Sequence, residues 1–206
     1  MEEIKSKDEI PTPGFLDRIR LYVKISEVSE VARRYFVMNA FDGAMTMLGV
    51  VIGSFSVGIK DPRLILSVSI SASLAMGVSG FVGAFITERA ERVKRVKELE
   101  RAMLTNLNGS IIYKASLFAT FLSAVVDGGS PALVSLVSSI PFILAIFGLI
   151  DMLSSYIGSI VIVLTILMLL GVYLGKISRE NSLKYGVIML ISGIIVSLFS
   201  SIIGKI

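Results

Sequence analysis

The chain has 206 residues, 54% of them hydrophobic, and a mean hydropathy of +0.83. Soluble domains lie nearer about 45–50% apolar, and the excess here sits in long uninterrupted runs, as in an integral membrane protein. The lack of Cys, His and Trp excludes disulfides and thiolate or imidazole metal sites, and the net charge of +4 reads as a charge bias across a membrane, not a nucleic-acid footprint.

In chain order, residues 1–14 are charged, carry Pro11 and Pro13, and read as loose. The first 35 residues are too charged for a secretory signal peptide. Over 15–35, Phe15, Leu16, Ile19, Val23 and Val28 recur at helical spacing among Arg18, Arg20, Lys24 and Glu27. That spacing predicts an amphipathic helix, lying at the membrane interface or packed on the rest of the protein. Residues 1–35 are thus expected to be a cytoplasmic segment, and residues 36–206 an all-α transmembrane domain.

The first span is expected at 36–58. Lys60-Asp61-Pro62-Arg63 is a very short turn, so the second span, 64–87, returns antiparallel. No Pro or Gly separates it from the charged run ERAERVKRVKELERAM, so one helix is expected to leave the membrane and continue over 88–104. Asn106-Leu107-Asn108-Gly109 breaks it. Residues 111–126 read as a partly buried helix ending at Asp127-Gly128-Gly129-Ser130-Pro131. The third span follows at 131–150 with a kink at Pro141, the fourth at 155–175 and the fifth at 185–203.

Five spans put three basic regions on one side: the N-terminal segment with Arg18, Arg20, Lys24, Arg33 and Arg34, the 88–114 segment, and the loop with Lys176, Arg179 and Lys184. The opposite loops carry little beyond Lys60, Arg63 and Asp151. The positive-inside rule therefore predicts a multi-pass cell-membrane protein with a cytoplasmic N-terminus.

Within the first span lies one full charge, Asp42. A carboxylate in the bilayer costs roughly 2.5 to 3.5 kcal/mol on insertion scales, which marks a functional site by default. Asp42, Met45, Thr46, Gly49, Gly53 and Ser56 share one small or polar helix face, the kind that another helix approaches closely. The plainer alternative is an aspartate at headgroup level near the helix end. In the second span Ser69, Ser73, Met76, Gly77, Gly80, Ala84 and Thr87 form a second small-residue stripe, and its continuation meets Glu88, Glu91 and Glu98. Oxygen ligands suit hard divalent cations, and a thioether adds preference for softer transition ions. Against this, Met76 is an ordinary packing residue, and Glu88–Arg92 and Glu91–Arg95 have the spacing of solvated ion pairs.

The blocks N-A-F-D-G-A-M-T at 39–46, S-L-A-M-G-V-S-G-F at 73–81, E-R-A-E at 88–91 and G-K-I-S-R-E-N-S-L-K-Y-G at 175–186 resemble the vacuolar iron transporter family, in its archaeal-type form. The resemblance covers most of the chain from about Arg33 onward. It implies five spanning helices, a homodimer whose first two helices line the ion path, and export of Fe²⁺, or Mn²⁺, from the cytosol in exchange for protons. It also implies metal-binding roles for Asp42, Met76, Glu88, Glu91 and Glu98. The large Glu- and Met-rich cytoplasmic bundle of eukaryotic members is replaced here by a short basic region.

The expected function is thus a proton-coupled divalent-metal transporter, with the ion as substrate, no resident cofactor, a lipid bilayer and a second copy as partners, and Asp42 as proton carrier. Two alternatives stand beside it: a non-transporting membrane scaffold, and an intramembrane aspartyl protease built on Asp42-Gly43 and Asp127-Gly128. No phosphate-cradling loop, nucleophile–base pair or nucleic-acid motif is present.

Overall fold

A computed structural model describes residues 14–204, which form six α-helices with no strand among them. The prolines and charges before Gly14 lie outside the described residues. Helix α1 spans Phe15–Ser26 and α2 spans Val28–Val57. The single helix expected over 15–35 is therefore two: the backbone breaks at Glu27 in a left-handed conformation (φ 53°), and Val28–Tyr35 forms the first turns of α2. Helix α2 stops at Gly58, whose φ of 79° suits a residue without a Cβ and lets its N–H reach back to Phe55 and Ser54.

Helix α3 runs unbroken from Pro62 to Met103. Its start follows from the sequence: Asp61 accepts a hydrogen bond from the Arg63 N–H at 2.9 Å, and Pro62 occupies the first helical position. At 42 residues it is about 63 Å long, roughly twice a hydrocarbon core, so its charged C-terminal part continues past the apolar part, as expected for 88–104.

Helix α4 spans Ile111–Ile146 in one piece. This corrects the expected helix end at 127–131 and the separate span at 131–150. Gly128 and Gly129 are interior helical positions, and Gly128 is where α4 presses closest to α3. Pro131 leaves a carbonyl one turn back without its N–H donor, yet the helix continues, as prolines in helices packed among other helices often allow. Ser130 donates its hydroxyl to the Val126 carbonyl in the same turn. Pro141 also lies inside α4. Helices α5 (Met152–Ser178) and α6 (Ser182–Ile203) complete the chain. Each is capped by its preceding side chain: Asp151 accepts from the Ser154 N–H, and Asn181 from the N–H groups of Leu183 and Lys184.

Five of the helices, α2 to α6, are long and apolar enough to cross a membrane. Helix α2 is central and packs on α4, α5 and α6, whereas α3 lies along α4 and only lightly on α2. The core gathers Ala44, Met47, Leu48 and Val51 of α2 with Phe142 of α4 and Tyr156, Val163 and Leu167 of α5. The Tyr156 hydroxyl donates to the Ile59 carbonyl at 2.9 Å, which joins the α2–α3 and α4–α5 turns at one end. At the other end Arg92 of α3 reaches the Ser26 carbonyl of α1 at 3.4 Å, and Tyr22 of α1 meets Phe118 of α4. The bundle thus has a strongly basic end and an end with few charges, Lys60, Asp61, Arg63 and Asp151.

Candidate functional site

Helices α2, α3 and α4 meet around a polar centre that the sequence points to only in part. Asp127 of α4 is buried, 9% exposed. It is placed there by two glycines of α3: a Cβ on Gly80 would sit 2.8 Å from its Oδ2, and one on Gly77 would lie 3.2 Å from the Gly128 carbonyl oxygen. On the other side Gly43 of α2 meets Pro131, where a Cβ would come within 2.8 Å of the proline Cα. Close backbone approach on both flanks therefore brings the Asp127 carboxyl between helices.

Its partner is Asn39 of α2. The Asn39 amide donates to Asp127 Oδ1 at 2.7 Å and to the Tyr35 carbonyl at 2.9 Å, so both its protons are used. Asp42 lies one turn beyond Asn39 along α2. The Asp42 side chain is exposed on the single chain. Along its small-residue stripe Met45 packs against the core, Gly49 lies near Ser200 of α6 and Ser56 lies against Gly204. A Cβ on Gly53 would meet open space.

The stripe on α3 does face a neighbour. Ser69, Ser73 and Ala84 are buried and Met76, Gly77 and Gly80 partly so; Gly77 and Gly80 lie against α4, and Thr87 is exposed. The three glutamates separate. Glu88 is partly buried, accepting the Tyr35 hydroxyl at 3.0 Å and pairing with Arg92 at 3.0 Å. Glu91 and Glu98 are exposed. Of the two ion pairs spaced for it, Glu88–Arg92 forms, and Glu91–Arg95 is not formed among the described residues. The hydrogen bonds of Glu88, Tyr35, Asn39 and Asp127 make a polar line from the charged part of α3 into the helix bundle. Ser123, one turn before Asp127 on α4, is fully buried with its hydroxyl unpartnered.

Among the described residues no three carboxylates converge as a metal-binding group within one chain. What the site offers is a buried carboxyl held by an amide, and a second carboxyl open at the surface. The two carboxyls are not hydrogen-bonded to each other; the recorded partner of Asp127 is Asn39. Asn39 is given no role in the sequence reading, and Asp127 enters it only as half of the protease alternative, at a helix end. The signal was present, because a carboxylate beside two glycines in an apolar run is costly, but reading those glycines as a helix end put it at the periphery.

Asp151, at the end opposite the basic one, has a structural role. Hydrogen bonds from the Ser154 side chain and backbone hold its carboxyl below the usual carboxylate range.

The class defined by this architecture is an all-helical protein with five helices long and apolar enough to cross a membrane, a multi-pass arrangement. No family model matches the chain. It is 32% identical over 179 residues, 85% of this chain and 90% of the relative, to the uncharacterized protein MJ0645 of Methanocaldococcus jannaschii. The chain belongs to the family of that archaeal protein.

Proposed function

We propose that this protein is a proton-coupled divalent-metal transporter, a homodimer that moves Fe²⁺, with Mn²⁺ as the second candidate ion, out of the cytosol across the cell membrane. The observation that carries this reading is the buried Asp127 carboxyl held by the Asn39 amide, with Asp42 one turn beyond Asn39 on α2, set within helices apolar enough to span a bilayer. Ionisable groups at such depth are expensive and mark ion or proton pathways. The gathering of Arg33, Arg34, Arg92 and the α5–α6 turn toward one end supports a cytoplasmic N-terminus.

In this mechanism Glu91 and Glu98, exposed on α3, attract the ion at the cytoplasmic end, and Glu88 lies where the polar line enters the bundle. Asp42 and Met76 ligate it inside the membrane. Because Asp42 is exposed on one chain, a second protomer facing it supplies the ligands one chain lacks. Metal and proton compete for the Asp42 carboxylate, since a ligand must be deprotonated to bind. A proteolytic role is disfavoured, because a dyad requires two carboxyls sharing a proton and Asp127 is instead bonded to an amide. A non-transporting scaffold remains the competing reading, favoured by the incomplete ligand set of the single chain.

The test is uptake of Fe²⁺, Mn²⁺, Co²⁺ and Zn²⁺ into proteoliposomes under an imposed pH gradient. Wild-type protein should carry Fe²⁺ or Mn²⁺, and Asp42→Ala should abolish flux while remaining a folded dimer. No flux of any ion through folded, dimeric wild type establishes the scaffold instead.

A further inference from the structure

At the basic end of the bundle, α2 and the α5–α6 hairpin line a groove of about 720 Å³. Its depth is apolar, lined by Val37 and Phe41 of α2, Leu174 and Ile177 of α5, and Ile188 and Met189 of α6. Its mouth is charged: Arg33 and Arg34 line it with Glu30. Neither arginine forms an ion pair among the described residues, and the Arg34 guanidinium rests 5.7 Å from the ring centre of Tyr35. Lys176 in the last turn of α5, Arg179 in the α5–α6 turn and Lys184 in the first turn of α6 lie near these lining residues in sequence. Arg33 and Phe41 are eight residues apart on one helix, about 12 Å of rise, so the groove passes from cationic to apolar along the α2 axis.

We infer that this groove binds an anionic phospholipid, with its phosphate on Arg33 and Arg34 and one acyl chain laid between α2, α5 and α6. The inference rests on the reading of these helices as membrane-spanning, but not on metal transport. Charge complementarity selects this occupant. Guanidinium groups bind phosphate oxygens through paired N–H donors, and basic pockets between spanning helices at the cytoplasmic side suit anionic headgroups. The apolar lining would be left wet by a free phosphate ion. A second copy of the chain seated here would desolvate two guanidiniums for which this groove provides only Glu30 as a counter-charge.

The experiment uses the purified full chain in detergent, incubated with palmitoyl-oleoyl phosphatidylglycerol or phosphatidylcholine and read by native mass spectrometry as lipid retained per protomer. Wild type should retain phosphatidylglycerol in preference to phosphatidylcholine. Arg33→Gln with Arg34→Gln should lower that retention on the order of tenfold. Ser192→Phe, which narrows the groove from α6, should lower retention of both lipids while Arg33 and Arg34 remain.

Equal retention of the two lipids by wild type, or unchanged phosphatidylglycerol retention in the double variant, overturns the site. The wild-type comparison decides even if a variant misfolds. Membrane insertion is read separately, as protein remaining in the membrane pellet after alkaline carbonate washing. A protein released by that wash refutes the spanning reading, whereas a retained protein without lipid preference refutes the groove alone.

Discussion

Gly128→Ala tests whether close contact between α3 and α4 holds the polar centre together. A Cβ at Gly128 would lie 2.9 Å from the Phe81 nitrogen and closer still to the Gly77 carbonyl oxygen. Both are backbone atoms of a regular helix, so no rotamer change relieves the clash; α3 must move away from α4. Overpacking of this kind costs roughly 1–3 kcal/mol. Helix α3 depends chiefly on α4 for its packing, so few other contacts resist the displacement. The adjacent position supplies the control. A Cβ at Gly129 would meet nothing within 4 Å, and alanine is about 1 kcal/mol better than glycine in a helix interior. Gly128→Ala should therefore lower the thermal midpoint in detergent, followed by circular dichroism or size-exclusion fluorescence, while Gly129→Ala leaves it unchanged or raises it. Equal midpoints for the two variants would refute the close-approach argument and the placement of Asp127 that follows from it.

Asn39 and Asp127 should show coupling of about 0.5–3 kcal/mol in a double-mutant cycle built from Asn39→Leu and Asp127→Ala; additive effects on the unfolding free energy would sink the hydrogen bond. Tyr156→Phe removes the hydroxyl that ties α5 to the Ile59 carbonyl and should cost about 0.5–1.5 kcal/mol by denaturant titration. Asp151 is held below its ordinary range, so it stabilises the fold above the unfolded carboxylate value, and that contribution fades as pH falls through the lower folded value. Wild type should accordingly exceed Asp151→Ala in stability at neutral pH, and the difference should shrink toward strongly acidic pH; a constant difference across that range would mean the cap does not act through its charge.

Much of this protein was readable along the chain because the signals are local. Apolar runs predict five spanning helices, and the lack of any breaker after Thr87 predicts the long α3. Helical periodicity also predicts that Ser69, Ser73 and Ala84 share a buried face. A period identifies a face but not its partner. The short turn at Lys60-Asp61-Pro62-Arg63 predicts that α3 returns antiparallel to α2, but not that α3 lies chiefly along α4. Asp127-Gly128-Gly129-Ser130-Pro131 has the composition of a break, and only a tightly apposed neighbour makes those glycines helical packing positions. The meeting of Asn39 with Asp127 spans 88 residues of sequence, and no local pattern encodes it. The sequence alone determined how many apolar helices there are and which end is basic, because hydropathy and charge act over one or a few turns. The tertiary structure decided which carboxyl is buried, which glycines touch and which faces stay open, because each depends on side chains and backbone from distant segments filling the same space.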